Sequence, residues 1–190
     1  MQPRLAATDL ACRRGDRLLF RGLSLELGAG EALHVTGANG IGKSSLIRIL
    51  AGLLRPFAGA IAREGRVALV DERLALDETV PLGTALGFWS GIDGTSPALD
   101  RVGLSDLADV PVRFLSTGQR KRAALARLLG ARASVWLLDE PLNGLDDDGR
   151  RLVEGLIADH CADGGLCLAA SHQPIELPGG RTLALREFTA

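Results

Sequence analysis

Gly37-Ala38-Asn39-Gly40-Ile41-Gly42-Lys43-Ser44 is the stretch from which the rest of this sequence is read. Glycine, four residues, glycine, lysine and a hydroxyl side chain form the pattern of a loop that wraps a phosphate group. Residues 31–36 predict a strand entering the loop, and residues 44–50 a helix leaving it, with apolar side chains at 46, 47, 49 and 50. The glycines permit positive φ and a close backbone approach. The loop N–H groups and the helix N-terminus then face an anion. Lys43 is suited to reach β- and γ-phosphates, Ser44 to ligate Mg²⁺, and Ser45 continues the same first turn. The chain has two lysines against twenty arginines, so a lysine here points to a need for a compact point charge.

The 190 residues suit one domain with a real core. A net charge of −1 gives no electrostatic case for nucleic acid, and the lack of tyrosine argues against base-stacking platforms. Cys12, Cys161 and Cys167 are odd in number and lack metal-ligand spacing, so they read as buried free thiols in a reducing compartment. The N-terminus has no signal-peptide pattern, and no run of about 18 apolar residues occurs. The expected location is the cytoplasm, unless a partner holds the chain at a membrane.

Apolar runs between turns predict strands at 5–12, 18–27, 32–36, 61–63 and 67–70. Between residues 72 and 134 strand signals vanish, and helical patterns appear at 82–90, 98–102 and 118–130 with loops at 91–97 and 109–113. Strands return at 135–138, 166–170 and 182–188, with a helix at about 147–160. The expectation is an α/β core of residues 1–71 and 135–190 with a helical subdomain inserted over 72–134.

Val135-Trp136-Leu137-Leu138-Asp139-Glu140 is an apolar run ending in two carboxylates. Such a run suits a buried parallel strand, whose carboxyl end is where ligands of open α/β sheets bind. Asp139 then serves as a Mg²⁺ ligand, and Glu140 polarises a water aimed at the γ-phosphate. Leu115-Ser116-Thr117-Gly118-Gln119 opens a helix carrying Arg120, Lys121, Arg122 and Arg127; read alone, it is either an anion-facing helix start or a plain cap with a solvated basic face. His172, after the strand at 166–170, is placed either to contact a γ-phosphate and orient Glu140 or as an ordinary loop histidine, while His34 and His160 read as structural.

In this order the pieces resemble the nucleotide-binding domain of an ABC ATPase, over essentially the whole chain. The resemblance makes residues 37–44 a Walker A motif and residues 135–140 a Walker B motif with its catalytic Glu140. Residues 115–119 match the signature LSGGQ with Thr117 in place of a glycine, Leu145-Asp146 the D-loop, and His172 the switch histidine. It implies a P-loop NTPase fold with a mixed sheet core and an N-terminal antiparallel β portion. It also implies ATP and Mg²⁺ as ligands, and a homodimer closed by ATP. In that dimer Gly40, Gly42, Lys43, Ser44 and Asp139 of one subunit meet Ser116 and Gly118 of the other.

Two departures stand out. The Q-loop glutamine belongs near residues 71–73, yet the only glutamines are Gln2, Gln119 and Gln173, and Glu72 or Arg73 stands there instead. The adenine-stacking aromatic belongs near residues 12–14, where Arg13 or Arg14 offers only a guanidinium plane. The absence of a membrane span requires separate permease subunits. The brevity of the chain, its opening residues 10–20, residues 116–128 and the closing 164–173 resemble the ATP-binding subunits of the cytochrome c maturation system. That resemblance implies docking on cytochrome c maturation proteins at the cytoplasmic face of the inner membrane, driving haem delivery. Haem itself is left to partners, since no Cys-x-x-Cys-His occurs. An exporter of another substrate, and a nucleotide-dependent binding module with degenerate catalysis, remain open. A short stripe, Leu82, Leu86, Phe88 and Trp89, reads either as internal packing or as a permease-facing groove.

Overall fold

The computed structural model describes residues 2–71, 73 and 75–189. Two sheets share the strands. β1 (Arg4–Arg14), β2 (Arg17–Leu27) and β4 (Ala58–Glu64) form an antiparallel sheet in the order β2-β1-β4. β3 (Ala32–Thr36), β5 (Val67–Val70), β6 (Val135–Asp139), β7 (Leu166–Ser171) and β8 (Arg181–Ala184) form a sheet in the order β5-β6-β7-β3-β8, and every pairing in it is parallel. Antiparallel pairing between these strands is thus confined to the smaller sheet.

The apolar runs of β6 and β7 are explained by burial on both faces. Leu33, Val35, Val135, Leu137, Leu166, Leu168 and Ala170 point to the core shared with the antiparallel sheet. Their alternating neighbours Ala32, Trp136, Leu138, Cys167 and Ala169 point to a second core. Between the sheets lies α1 (Lys43–Leu50), whose Leu46, Ile47, Ile49 and Leu50 are fully buried. Each such side chain contributes about 2 kcal/mol of burial. The second core is covered by α2 (Leu82–Asp93), α3 (Thr117–Gly130) and α4 (Asp147–Ala162). All three cysteines are buried and free.

Between residues 82 and 134 the described residues form α2, three short 3-10 turns and α3, with no strand longer than the single bridge Pro81–Pro111. Two helical expectations shift. α2 runs into the first residues of the predicted 91–97 loop, to Asp93, where Gly94 in the left-handed region ends it. The expected helix at 98–102 is only a 3-10 turn over Asp100–Val102, ended by the left-handed Gly103. The last strand is also shorter than the apolar pattern suggested. β8 pairs with β3 up to Thr36–Ala184, where β3 ends in the phosphate loop and offers no further ladder. The chain then turns through Leu185–Phe188 as a 3-10 helix and buries Leu185.

Candidate functional site

β3 ends at Thr36 and α1 begins at Lys43, so residues 37–42 form the loop between strand and helix. The first α-helical hydrogen bond runs from Leu46 N–H to the Gly42 carbonyl at 2.9 Å. The N–H groups of Lys43, Ser44 and Ser45 therefore precede the helix's own acceptors and stand at its positive end. A cavity of about 320 Å³ opens there, lined by Leu19, Asn39, Gly40, Gly42, Lys43, Ser44 and Ser45, with Glu140 and Asn143 opposite. Lys43 curls back over the loop, donating to the carbonyls of Gly37 at 2.8 Å and Ala38 at 3.2 Å. The Ala38 carbonyl also accepts from Ile41 N–H, closing the loop's turn.

β6 and β3 both flank β7, so Asp139, Ser171 and Thr36 come out at one edge of the sheet. Asp139 is nearly inaccessible at the end of β6. Glu140 follows in the left-handed region, with φ 48°, and its N–H donates to the Ala170 carbonyl at 2.8 Å. A non-glycine residue there is strained and needs its surroundings to hold it. The side chain is held on both oxygens. Oε1 lies 3.1 Å from Lys43 Nζ, and Oε2 accepts from His172 Nδ1 at 2.9 Å and from His172 N–H at 3.4 Å. Burial pushes the Glu140 carboxyl up, but the hydrogen bonds from Lys43 and His172, with the charge of Lys43, outweigh it and hold the group below its ordinary 4.5. The Glu140 backbone is anchored as well, because its carbonyl accepts from Lys121 Nζ at 3.1 Å.

The 115–119 segment adopts a capping box. Ser116 caps α3, its Oγ accepting from Gln119 N–H at 3.2 Å while Gln119 Oε1 accepts from Ser116 N–H at 2.8 Å. The Ser116 hydroxyl hydrogen is a separate donor. Thr117 and Gly118 pack on Gly144, and none of residues 116–119 is among the described residues lining the phosphate-loop cavity. Asp146 caps α4 through Gly149 N–H at 2.8 Å and pairs with Arg122 at 3.3 Å. The Gly149 hydrogen bond, with Arg122 beside it, holds the Asp146 carboxyl low.

At the end of β5, Asp71 pairs with Arg48 of α1 at 3.6 Å and accepts from Arg73 N–H at 2.9 Å, whereas Glu72 lies outside the described residues. Arg13 stacks on Phe57, with its guanidinium carbon 4.7 Å from the ring centroid. The Leu82–Trp89 stripe divides. Leu82 and Leu86 are buried in the core, Phe88 is exposed, and Trp89 donates to the Ala75 carbonyl beneath Arg127. Cavities of about 470 and 560 Å³ flank Trp89, away from the phosphate loop. His160 stacks flat on Trp136 at 3.8 Å, and burial holds it below its ordinary 6.5. Two residues at the site escaped sequence reasoning, Asn143 and Lys121. For Lys121 a signal existed: it is the only lysine besides Lys43.

The ABC transporter family matches residues 20–143. The cytochrome c biogenesis ATP-binding export protein CcmA of Novosphingobium aromaticivorans is 62% identical, over 97% of this chain and 96% of its own. The protein of the same name from Zymomonas mobilis is 54% identical, over 98% of this chain and 86% of its own. Among solved structures, cbiO1 of Clostridium perfringens, part of the ABC transporter complex cbiONQ, superimposes with a TM-score of 0.73 at 26% identity, covering 89% of this chain and 78% of that one.

Proposed function

The chain belongs to the ABC transporter family of ATPases, in the group of cytochrome c biogenesis ATP-binding export proteins, and from that premise we propose that it powers an export step of cytochrome c biogenesis as the ATP-binding subunit of a membrane complex. ATP fits the cavity at the head of α1, where helix N–H groups, Gly40, Gly42 and Lys43 supply what a polyphosphate needs. Ser44 and Asp139 bring only oxygen donors, the set a hard cation such as Mg²⁺ takes. When bound, that ion neutralises phosphate charge. Glu140 acts as the base that accepts a proton from the attacking water, and His172 orients it. Ser116, Thr117, Gly118 and Gln119 serve the nucleotide of a second copy, with Asp146 beside them; their position outside this chain's own phosphate cavity supports that role.

The observation that carries the reading is the Glu140 carboxylate suspended between Lys43 and His172. That arrangement also disfavours degenerate catalysis, because base, orienting histidine and phosphate-binding lysine are all in contact. Among the described residues no helix is long and apolar enough to cross a membrane, and the permease is proposed to be supplied by partner subunits. The proposed docking face includes exposed Phe88 and the cavities beside Trp89, at the cytoplasmic side of the inner membrane. Haem is the proposed cargo of the complex and is handled by the partners.

The test is affinity purification of Glu140→Gln from solubilised native membranes with Mg-ATP, followed by identification of the co-purifying proteins. Recovery of cytochrome c maturation membrane subunits supports the assignment. Recovery of an unrelated permease removes the cytochrome c and haem parts and leaves an ABC exporter ATPase for another substrate.

A further inference from the structure

We infer that Lys121 is a positioning residue for Glu140, tying the backbone of the catalytic carboxylate to α3, the helix that Ser116 caps. Three ties run from the first turns of α3 to the seven residues from Glu140 to Asp146. Lys121 Nζ donates to the Glu140 carbonyl at 3.1 Å. Arg122 pairs with Asp146 at 3.3 Å. Thr117 and Gly118 lie directly against Gly144: a Cβ on Gly144 would stand 2.7 Å from Thr117 Cγ2, and one on Gly118 would stand 3.0 Å from the Gly144 carbonyl oxygen. A Cβ at either glycine would press on the facing segment, at the Thr117 methyl or at the Gly144 carbonyl.

The tie at Glu140 matters because of that residue's backbone. With φ at 48°, Glu140 is held where a non-glycine residue rarely sits, and the direction of its Cα–Cβ bond follows from that conformation. The peptide is clamped at both ends, by the Ala170 carbonyl on its N–H and by Lys121 on its C=O. A charged donor on a carbonyl in a poorly hydrated site makes a strong, directional bond. Without it the backbone relaxes, and the carboxylate leaves the geometry in which Lys43 and His172 hold it. Displacement by about an ångström at a reacting group costs about a hundredfold in rate. Since α3 also carries the turn that meets a second copy's nucleotide, Lys121 transmits the placement of that turn to this chain's own Glu140. The inference rests on the proposed roles of Glu140 and the 116–119 turn.

The experiment compares Lys121→Met and Lys121→Arg in the full chain, with ATP turnover measured against ATP concentration. Lys121→Met is expected to lower kcat by about tenfold or more while KM for ATP stays within about twofold, since Lys121 does not line the phosphate cavity. Lys121→Arg, which keeps a cationic donor, recovers most of kcat. In a Glu140→Gln background Lys121→Met lowers the residual rate no further, because it acts through the group already removed. An unchanged kcat in Lys121→Met, or an equal loss in both backgrounds, overturns the inference. Should Lys121→Met not fold, Lys121→Gln is read by the same criteria. Full turnover by Glu140→Gln alone would instead sink the assignment of Glu140 as base, a result independent of Lys121.

Discussion

Lys43 Nζ lies 3.1 Å from Glu140 Oε1, with the lysine side chain 5% and the carboxylate 10% exposed. The same ammonium reaches the Gly37 and Ala38 carbonyls. In the proposed function an entering phosphate meets this same ammonium, which already carries Glu140. Removing only the lysine leaves a buried carboxylate short of its counter-charge, which costs about 3 kcal/mol. Lys43→Met should lower the free energy of urea unfolding by about that amount, and Lys43→Met with Glu140→Gln should regain most of it. Equal instability of single and double variants would show that the pair is not what is lost.

The pH dependence follows from the direction of the Glu140 shift. Its folded-state pKa lies below the ordinary 4.5, so the folded state binds fewer protons than the unfolded one near and below that value. The stabilisation is complete above pH 4.5 and is lost as pH falls through the lower folded value. The stability difference between wild type and Glu140→Gln should be flat above that range and shrink on acidification. A difference that grows as pH falls would reverse the assigned sign.

Turnover should separate chemistry from binding. General-base catalysis contributes about 10²- to 10⁴-fold. Phosphate release by Glu140→Gln should fall by at least about a hundredfold, while ATP binding persists and an ATP-bound dimer accumulates in size-exclusion chromatography. Wild-type rates in this variant would remove Glu140 from the base role.

Substitution can split the cap that Ser116 makes on α3 from its proposed role in trans. Ser116→Ala removes the cap on α3 and should cost about 1 kcal/mol of stability. Ser116→Asp keeps an N-cap acceptor and should melt close to wild type, yet its charge would face a second copy's phosphates and should abolish ATP-driven dimerisation. If the aspartate variant dimerises normally, the turn does not meet nucleotide in trans.

Nucleobase selectivity should be weak. Among the described residues lining the phosphate cavity the largest apolar side chain is Leu19, not a ring, and Arg13 is engaged with Phe57. ATP and GTP turnover are expected to agree within about tenfold, since the discrimination left to a site without a stacking ring is small. A preference for ATP of several hundredfold would require a base contact that these residues do not supply.

Much of the site was legible in the chain because its parts are local. The strand, glycine loop and helix of residues 32–50 are contiguous, and the apolar run of β6 announces a strand buried on both faces before Asp139 and Glu140 leave it. Less legible were features in which two distant segments share one bond. Apart from the rarity of lysine in this chain, residues 120–122 read as a solvated basic face, yet Lys121 donates to the Glu140 carbonyl and Arg122 pairs with Asp146. The final strand misled for a similar reason: residues 182–188 are apolar enough to extend, but β8 stops where its neighbour β3 turns into the phosphate loop.

By itself the sequence determined which groups could handle a phosphate, since glycine spacing, a lone loop lysine and carboxylates after an apolar run are properties of neighbouring residues. The tertiary structure decided that these groups meet. Only the strand order β5-β6-β7-β3-β8 sets β7 between β6 and β3, so that Glu140 after β6 lies within reach of both His172 after β7 and Lys43 after β3. That order needs β3 to pair with β7 and β8, segments more than a hundred residues away, and the apolar faces that drive it are written in the sequence without the address of their partners.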